Sequence, residues 1–178
     1  MSNDNSNFTL LHYTSKKINK LYSVPWSERV YFKPVGLWLS VNDSWLQWCD
    51  DNMFSTFDFS NHYIYTINNA ILDTNLYFIN SIEDLLLFYK KFKSTPGRIN
   101  WKKLYKKYDG IAFFNYSEIK QKLHELYFTK NNTTDINNNM KIFMDFTWYF
   151  GLDISCVCIW NTTNIILENE THIVDKDI

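Results

Sequence analysis

An α+β domain built around a largely antiparallel sheet is the architecture this sequence predicts. Short runs rich in β-branched and aromatic residues are mixed with amphipathic stretches, and no repeating strand–helix–strand rhythm orders them. The 178 residues suit one domain, and 46% of them are hydrophobic, enough to bury a core. With 4 Gly and 3 Pro, collagen-like and proline-rich repeats are excluded.

Residues 1–7 read as a disordered start, and 8–168 as a single domain. Residues 8–13 (FTLLHY) read as a strand, and Thr14-Ser15 offers cap oxygens to a short helix over 15–22. Pro25 and Pro34 make 23–34 a loop, with an extended piece at 29–32. Gly36 opens a short buried strand, GLWLS, and Asn42, Asp43 or Ser44 caps the helix SWLQWCDDNM. Strands follow at 61–68 and 74–79. Ser81 to Asp84 is close to a capping box ahead of a helix over 82–92. A short basic helix spans 100–107, a strand 110–116, and a helix 117–127. The Asn-rich stretch 129–139 reads as a surface insert. Strands at 154–160 and 163–168 are expected to meet at a tight turn, Asn161-Thr162, before a loose polar tail over 169–178.

The formal net charge of -1 makes no global demand for nucleic acid or an anionic membrane. No apolar run approaches the roughly 20 residues of a spanning helix, and the first residues do not read as a signal peptide. Three cysteines, two of them as close as Cys156 and Cys158, fit a reduced, intracellular setting better than a disulfide framework. The 21 Asn follow the Asn, Lys, Ile, Tyr and Phe bias of an AT-rich genome. That bias would deplete Trp, yet there are 7. The tryptophans are therefore the informative residues.

Many chemistries are absent. No GxGxxG or GxxxxGK[ST] occurs, so neither a Rossmann site nor a P-loop is expected. There is no Cys-x-x-Cys, HExxH or GxSxG, and His12, His62, His124 and His172 are scattered, which argues against a zinc site.

Two segments stand out as a pair. Leu11-His12-Tyr13-Thr14-Ser15 is followed, some two dozen residues on, by Gly36-Leu37-Trp38-Leu39-Ser40 and a helix bearing Trp45, Trp48 and Cys49. This pair resembles the nucleotide-binding core of the ADP-ribosyltransferase superfamily, in its poly(ADP-ribose)-polymerase-like branch. That branch carries a His-x-Thr/Ser strand and then a Gly-x-Tyr-x-Ala/Ser strand. The resemblance implies a mostly antiparallel, split sheet with flanking helices, and NAD as substrate. It implies that His12 and Thr14 hold the adenosine side, Trp38 stacks on nicotinamide, Gly36 lets the backbone approach the carboxamide, and Ser40 contacts that group. The implied reaction breaks the nicotinamide glycosidic bond and passes ADP-ribose to a protein or nucleic-acid acceptor. The chain departs from the pattern twice: Trp38 replaces the usual Tyr, and Ser155 or Cys156 stands where a late strand would begin with Glu. Asp153 and Asp109 are the acids that could serve instead. A pseudoenzyme that binds nucleotide without turnover is the variant consistent with a lost acid.

Other residues have plainer readings. Trp45 and Trp48 sit at helical spacing, the signature of packing, and are assigned to the core. Cys156 and Cys158 alternate with Ser155 and Val157, so both point to one buried face, and nothing nearby lowers a thiol pKa. Lys90, Lys91, Lys93, Arg98, Lys102, Lys103, Lys106 and Lys107 fall in 90–107 without an acid between them. Such a run is a solvated face, or else a phosphate-binding surface of a non-enzymatic module that takes nucleic acid or a partner protein. Tyr89, Phe92, Trp101 and Tyr105, interleaved with it, would then supply stacking platforms, although their helical spacing points instead to the core.

Overall fold

The computed structural model describes residues 8–25, 32–52, 62–128 and 144–173. The expected disordered start, the insert at 129–139, most of the extended piece at 29–32 and the end of the tail lie outside the described residues. Seven strands are described: β1 (Leu10–Thr14), β2 (Leu37–Val41), β3 (His62–Ile67), β4 (Leu76–Ile79), β5 (Gly110–Phe113), β6 (Cys156–Ile159) and β7 (Leu167–Ile173). The helices are α1 (Ser44–Asp51), α2 (Ile82–Phe92), α3 (Trp101–Tyr105), α4 (Tyr116–Phe128) and α5 over 144–150.

The strands form one sheet in the order β4-β5-β6-β2-β1-β3-β7. All neighbours are antiparallel except β4 and β5, which α2 and α3 connect in parallel. The α+β reading of the sequence therefore holds. No helix among the described residues is long and apolar enough to cross a membrane.

Three local expectations are corrected. No helix forms over 15–22; Ile18 instead donates its amide to Tyr65 Oη at 2.8 Å, so that segment lies over β3. The turn after β6 does not close a hairpin. β6 and β7 are separated by three strands, and β7 runs to Ile173 along β3. Polar residues 169–172 are tolerated there because β7 is an edge strand with a wetted face. A helix also forms over 144–150, a stretch to which the sequence reading assigns no element.

Both faces of the sheet are covered. Cys156 and Cys158 of β6 point to one side and Val157 and Ile159 to the other, and all four are buried. The first side carries a core of Ile79, Phe88, Phe92, Trp101, Leu104, Phe113 and Trp148, supplied largely by the helices. The other side carries Leu10, Leu39, Tyr65, Ile67, Ala112 and Val157. α2 presents Ile82, Leu85, Phe88, Tyr89 and Phe92 inward at helical spacing. Its cap matches the expected box: Asp84 donates its amide to Ser81 Oγ, and the Asp84 carboxylate accepts from the Asn80 amide, both at 3.1 Å. The expected α1 cap is different. Asp43 occupies the cap position but makes no side-chain capping bond.

Gly36 shows how tightly β2 approaches β6. A Cβ there would lie 2.5 Å from Ile159 O and 2.9 Å from Cys158 Sγ. Both neighbours belong to a buried strand that has no room to withdraw. Gly36→Ala is therefore expected to destabilise the fold by about 1–3 kcal/mol, as overpacking does. Chemical denaturation measures this, and an unchanged midpoint would contradict the packing described.

Candidate functional site

The central feature is a fork in the sheet. β1 pairs with β3 through all five of its residues, from Leu10 to Thr14. With β2 it pairs only at Leu10 and Leu11. Beyond Leu11 the two strands part, and a side chain takes over the ladder: His12 Nδ1 lies 2.8 Å from Trp38 O. A carbonyl can only accept, so Nδ1 carries the proton. The neutral ring then keeps its lone pair on Nε2.

A cleft of about 570 Å³ opens at this fork. β1 contributes His12, Tyr13 and Thr14, and β2 contributes Trp38 and Ser40. α1 adds Trp45 and Trp48, and the turn before β6 adds Leu152, Asp153 and Ile154. Lys33 and Cys156 complete much of the wall. The His12 and Trp38 motifs, separate in sequence, thus meet in one groove.

The assignment of Trp45 and Trp48 to the core is corrected. Only Cys49 of α1 is buried; the two indoles are half-buried and stack on each other at 5.2 Å, with 14° between their planes. They are offered to the cleft as a flat aromatic wall. Tyr13 was also unforeseen. Burial, with the Asp43 charge, pushes its phenol up to about 12, opposed by the Ser40 hydroxyl. Its oxygen is buried yet makes no hydrogen bond of good geometry.

The remaining candidates divide. Thr14 lines the cleft, and its Oγ1 accepts from the Lys16 amide at 3.2 Å. Ser40 also lines it, but its hydroxyl is shared between Leu11 O at 3.4 Å and Asn42 O at 3.1 Å. Ser40 therefore ties the end of β1 to β2, and only its oxygen lone pairs remain for a ligand. Gly36 is outside the cleft wall, and its lack of a side chain serves the contact with β6.

Of the two acids, Asp153 is in the cleft and Asp109 is not. Asp109 precedes β5, whose first residue pairs with Ile159, while the cleft lies by Cys156 at the other end of β6. Those ends are three residue steps apart along the strand, roughly 10 Å. Asp109 is held there by Asn161, whose Nδ2 donates to Oδ1 at 2.7 Å. Asp153 sits in the turn joining α5 to β6 with φ of 70°, a left-handed conformation that Asp tolerates better than most residues. Lys33 Nζ lies 3.8 Å from its carboxylate, both groups being partly exposed. Nearby, Tyr116 Oη donates to Phe150 O at 3.0 Å and steadies the approach to this turn.

At the start of β6, Ser155 and Cys156 have structural work. Ser155 Oγ accepts the Tyr116 amide at 3.1 Å, satisfying a first-turn donor of α4. Cys156 is buried, which pushes its thiol up to about 12, and burial holds Cys158 well above the ordinary value too. Neither is an activated nucleophile. Among the described residues no cluster of His, Cys, Asp and Glu could hold a metal ion. No protein-family model, curated protein or solved structure matches this chain.

Burial lowers the His12 pKa below 6.5, only partly opposed by its bond to Trp38 O. The folded state therefore favours the neutral ring. As pH falls from 6.5, the unfolded chain takes up a proton that the folded chain resists, so stability is lost on acidification. Nitrogen-resolved NMR is expected to find His12 protonated on Nδ1 at neutral pH and titrating below 6.5. Stability of the wild type should fall more steeply below pH 6.5 than that of His12→Ala. A ring protonated only on Nε2 would contradict the bond to Trp38, and one titrating above 6.5 would contradict the burial described.

Proposed function

We propose that this chain binds NAD in the cleft at the β1–β2 fork and transfers its ADP-ribose moiety to an acceptor. The observation that carries the reading is the meeting of His12 and Trp38 in one groove, joined by a 2.8 Å bond. The residues present suit the substrate. A cleft of about 570 Å³ is within the range of small-molecule sites. Indoles are the best side-chain partners for a flat cation such as the nicotinamide ring, with about 2 kcal/mol or more available once desolvated. The neutral His12 ring offers Nε2 as an acceptor for a ribose hydroxyl. Lys33 is the cation of the wall, suited to pyrophosphate.

The chemistry asked of the protein is modest. The ribose–nicotinamide bond breaks, its electron pair moves to the pyridinium nitrogen, and the ring leaves neutral. The sugar is left with oxocarbenium character, which a fixed carboxylate stabilises. Asp153 is the acid suited to this, as the acid of the cleft wall. A lone pair of the acceptor then closes on the anomeric carbon, and the acceptor's proton passes to the Asp153 carboxylate or to water.

Calorimetry and nicotinamide release test this together. Wild type is expected to bind NAD and release nicotinamide. His12→Ala should weaken binding about tenfold, as expected for one lost hydrogen bond with its partner carbonyl left unpaired. Asp153→Asn should keep binding but lose about 100-fold or more in turnover, the scale of a removed electrostatic stabiliser. Asp109→Asn should change neither. Binding without nicotinamide release would identify a nucleotide-binding pseudoenzyme, and no binding at all would end the proposal.

A further inference from the structure

We propose that Lys33 makes the acid of the cleft answer to phosphate. In the structure it pairs with Asp153; when the dinucleotide binds, it turns to the pyrophosphate and frees the carboxylate for the sugar. The cleft thereby selects phosphate-bearing nicotinamide nucleotides over the bare nucleoside. This inference rests on the NAD reading and adds to it the basis of substrate choice.

The two charges reach the cleft from different elements. Of the described residues that line it, Lys33 is the one Lys or Arg and Asp153 the one carboxylate. Their charged ends are 3.8 Å apart, wider than the roughly 2.7–2.9 Å of a charge-assisted hydrogen bond, and both side chains keep more than a third of their surface exposed. Pairs of this kind are weak and exchange readily. Both charges reach the Cys156 thiol beneath them, which burial already holds up: Lys33 pulls its pKa down and Asp153 pushes it up.

Of the two partners, Lys33 is the one built to move. It belongs to a strap, 32–35, that leads into β2 and lies against the Cys158 face of β6. The base of the strap is fixed, because Tyr105 Oη donates to Val35 O and Cys158 Sγ lies 3.8 Å from the carbonyl of buried Pro34. Its tip is open: the Phe32 ring is half exposed, and the Lys33 stem lies along Gly151, where a Cβ would come 3.6 Å from Lys33 Cε. The backbone of Lys33 is thus set, while its long stem lets the ammonium swing over the cleft wall. Asp153 instead sits on a turn with φ of 70°, close to the bond from Tyr116 Oη to Phe150 O.

The pairing matters for the chemistry. A cation 3.8 Å from the acid cancels much of the field that the carboxylate would place on a sugar with oxocarbenium character. A pyrophosphate carries two negative charges and several acceptor oxygens, so it outcompetes a single carboxylate for the ammonium. NAD therefore brings with it the group that frees Asp153. Nicotinamide riboside has the same ring and sugar but no phosphate, and it leaves the acid paired.

Nicotinamide release from NAD and from nicotinamide riboside tests this, the riboside being hydrolysed to ribose and nicotinamide. Inorganic pyrophosphate added to the wild type is expected to raise riboside turnover about two- to fivefold, the scale of releasing a partly exposed ion pair. Lys33→Gln should raise riboside turnover by the same factor without pyrophosphate, abolish the stimulation, and weaken NAD binding about tenfold or more. In an Asp153→Asn background neither pyrophosphate nor Lys33→Gln should stimulate. Suppose that the wild type turns over NAD but pyrophosphate slows riboside turnover or leaves it unchanged, or that Lys33→Gln is slower on both substrates. The inference is then overturned and the transfer reading stands. No nicotinamide release from NAD by the wild type would overturn both.

Discussion

The architecture turns on a side chain taking over from a backbone ladder. β1 and β2 run together for two residue pairs and then diverge, and the imidazole of His12 occupies the carbonyl that the ladder leaves at Trp38. His12 supplies a donor to this partly buried carbonyl, which the strand ladder would otherwise leave to water in the cleft. That bond also fixes the proton on Nδ1, keeps Nε2 as an acceptor, and leaves room between the strands for a ligand. Support comes from both sides. β3 holds the whole of β1 from one flank, and β6, packed against Gly36, holds β2 from the other.

The walls of the fork come from elements placed by ordinary packing. α1 is anchored by the buried Cys49, which leaves Trp45 and Trp48 to face the groove. The turn bearing Asp153 is set by α5, whose Phe146, Trp148 and Tyr149 are buried in the helix-side core. Rigid core residues thus hold the polar residues that the proposed chemistry uses. The charged groups of the cleft are few, Lys33 and Asp153 foremost, and partly exposed. Its stacking surface is large by comparison. Such a balance suits recognition of a flat, charged ring more than it suits a hydrolytic site dense in acids and bases.

Much of this was legible in the sequence, and the failures have physical causes. The strand bearing His12, the Gly36–Ser40 strand and the capped α2 all followed from residue type and spacing, because their local preferences agree with their places in the fold. The helix over 144–150 was hidden because Phe146, Trp148 and Tyr149 are bulky, strand-favouring residues in a single short element, and tertiary burial outweighs that preference. Most of β7 was hidden because Asn169, Glu170 and Thr171 read as tail, whereas an edge strand keeps them in water. Trp45 and Trp48 were misread because helical spacing marks a shared face without saying whether that face meets core or cleft. The surplus of Trp over compositional bias was the signal available. Asp109 and Asp153 were equivalent in sequence. Only the strand register, which puts one at each end of β6, separates them.

A crystal structure of the chain soaked with NAD tests the central claim most directly. The account predicts density for the dinucleotide in the fork, with a ribose hydroxyl within hydrogen-bond distance of His12 Nε2, the nicotinamide ring against an indole of the cleft and the Asp153 carboxylate facing the anomeric carbon. Density in another groove, or a His12 ring turned away from Trp38 O with the fork closed, would contradict it.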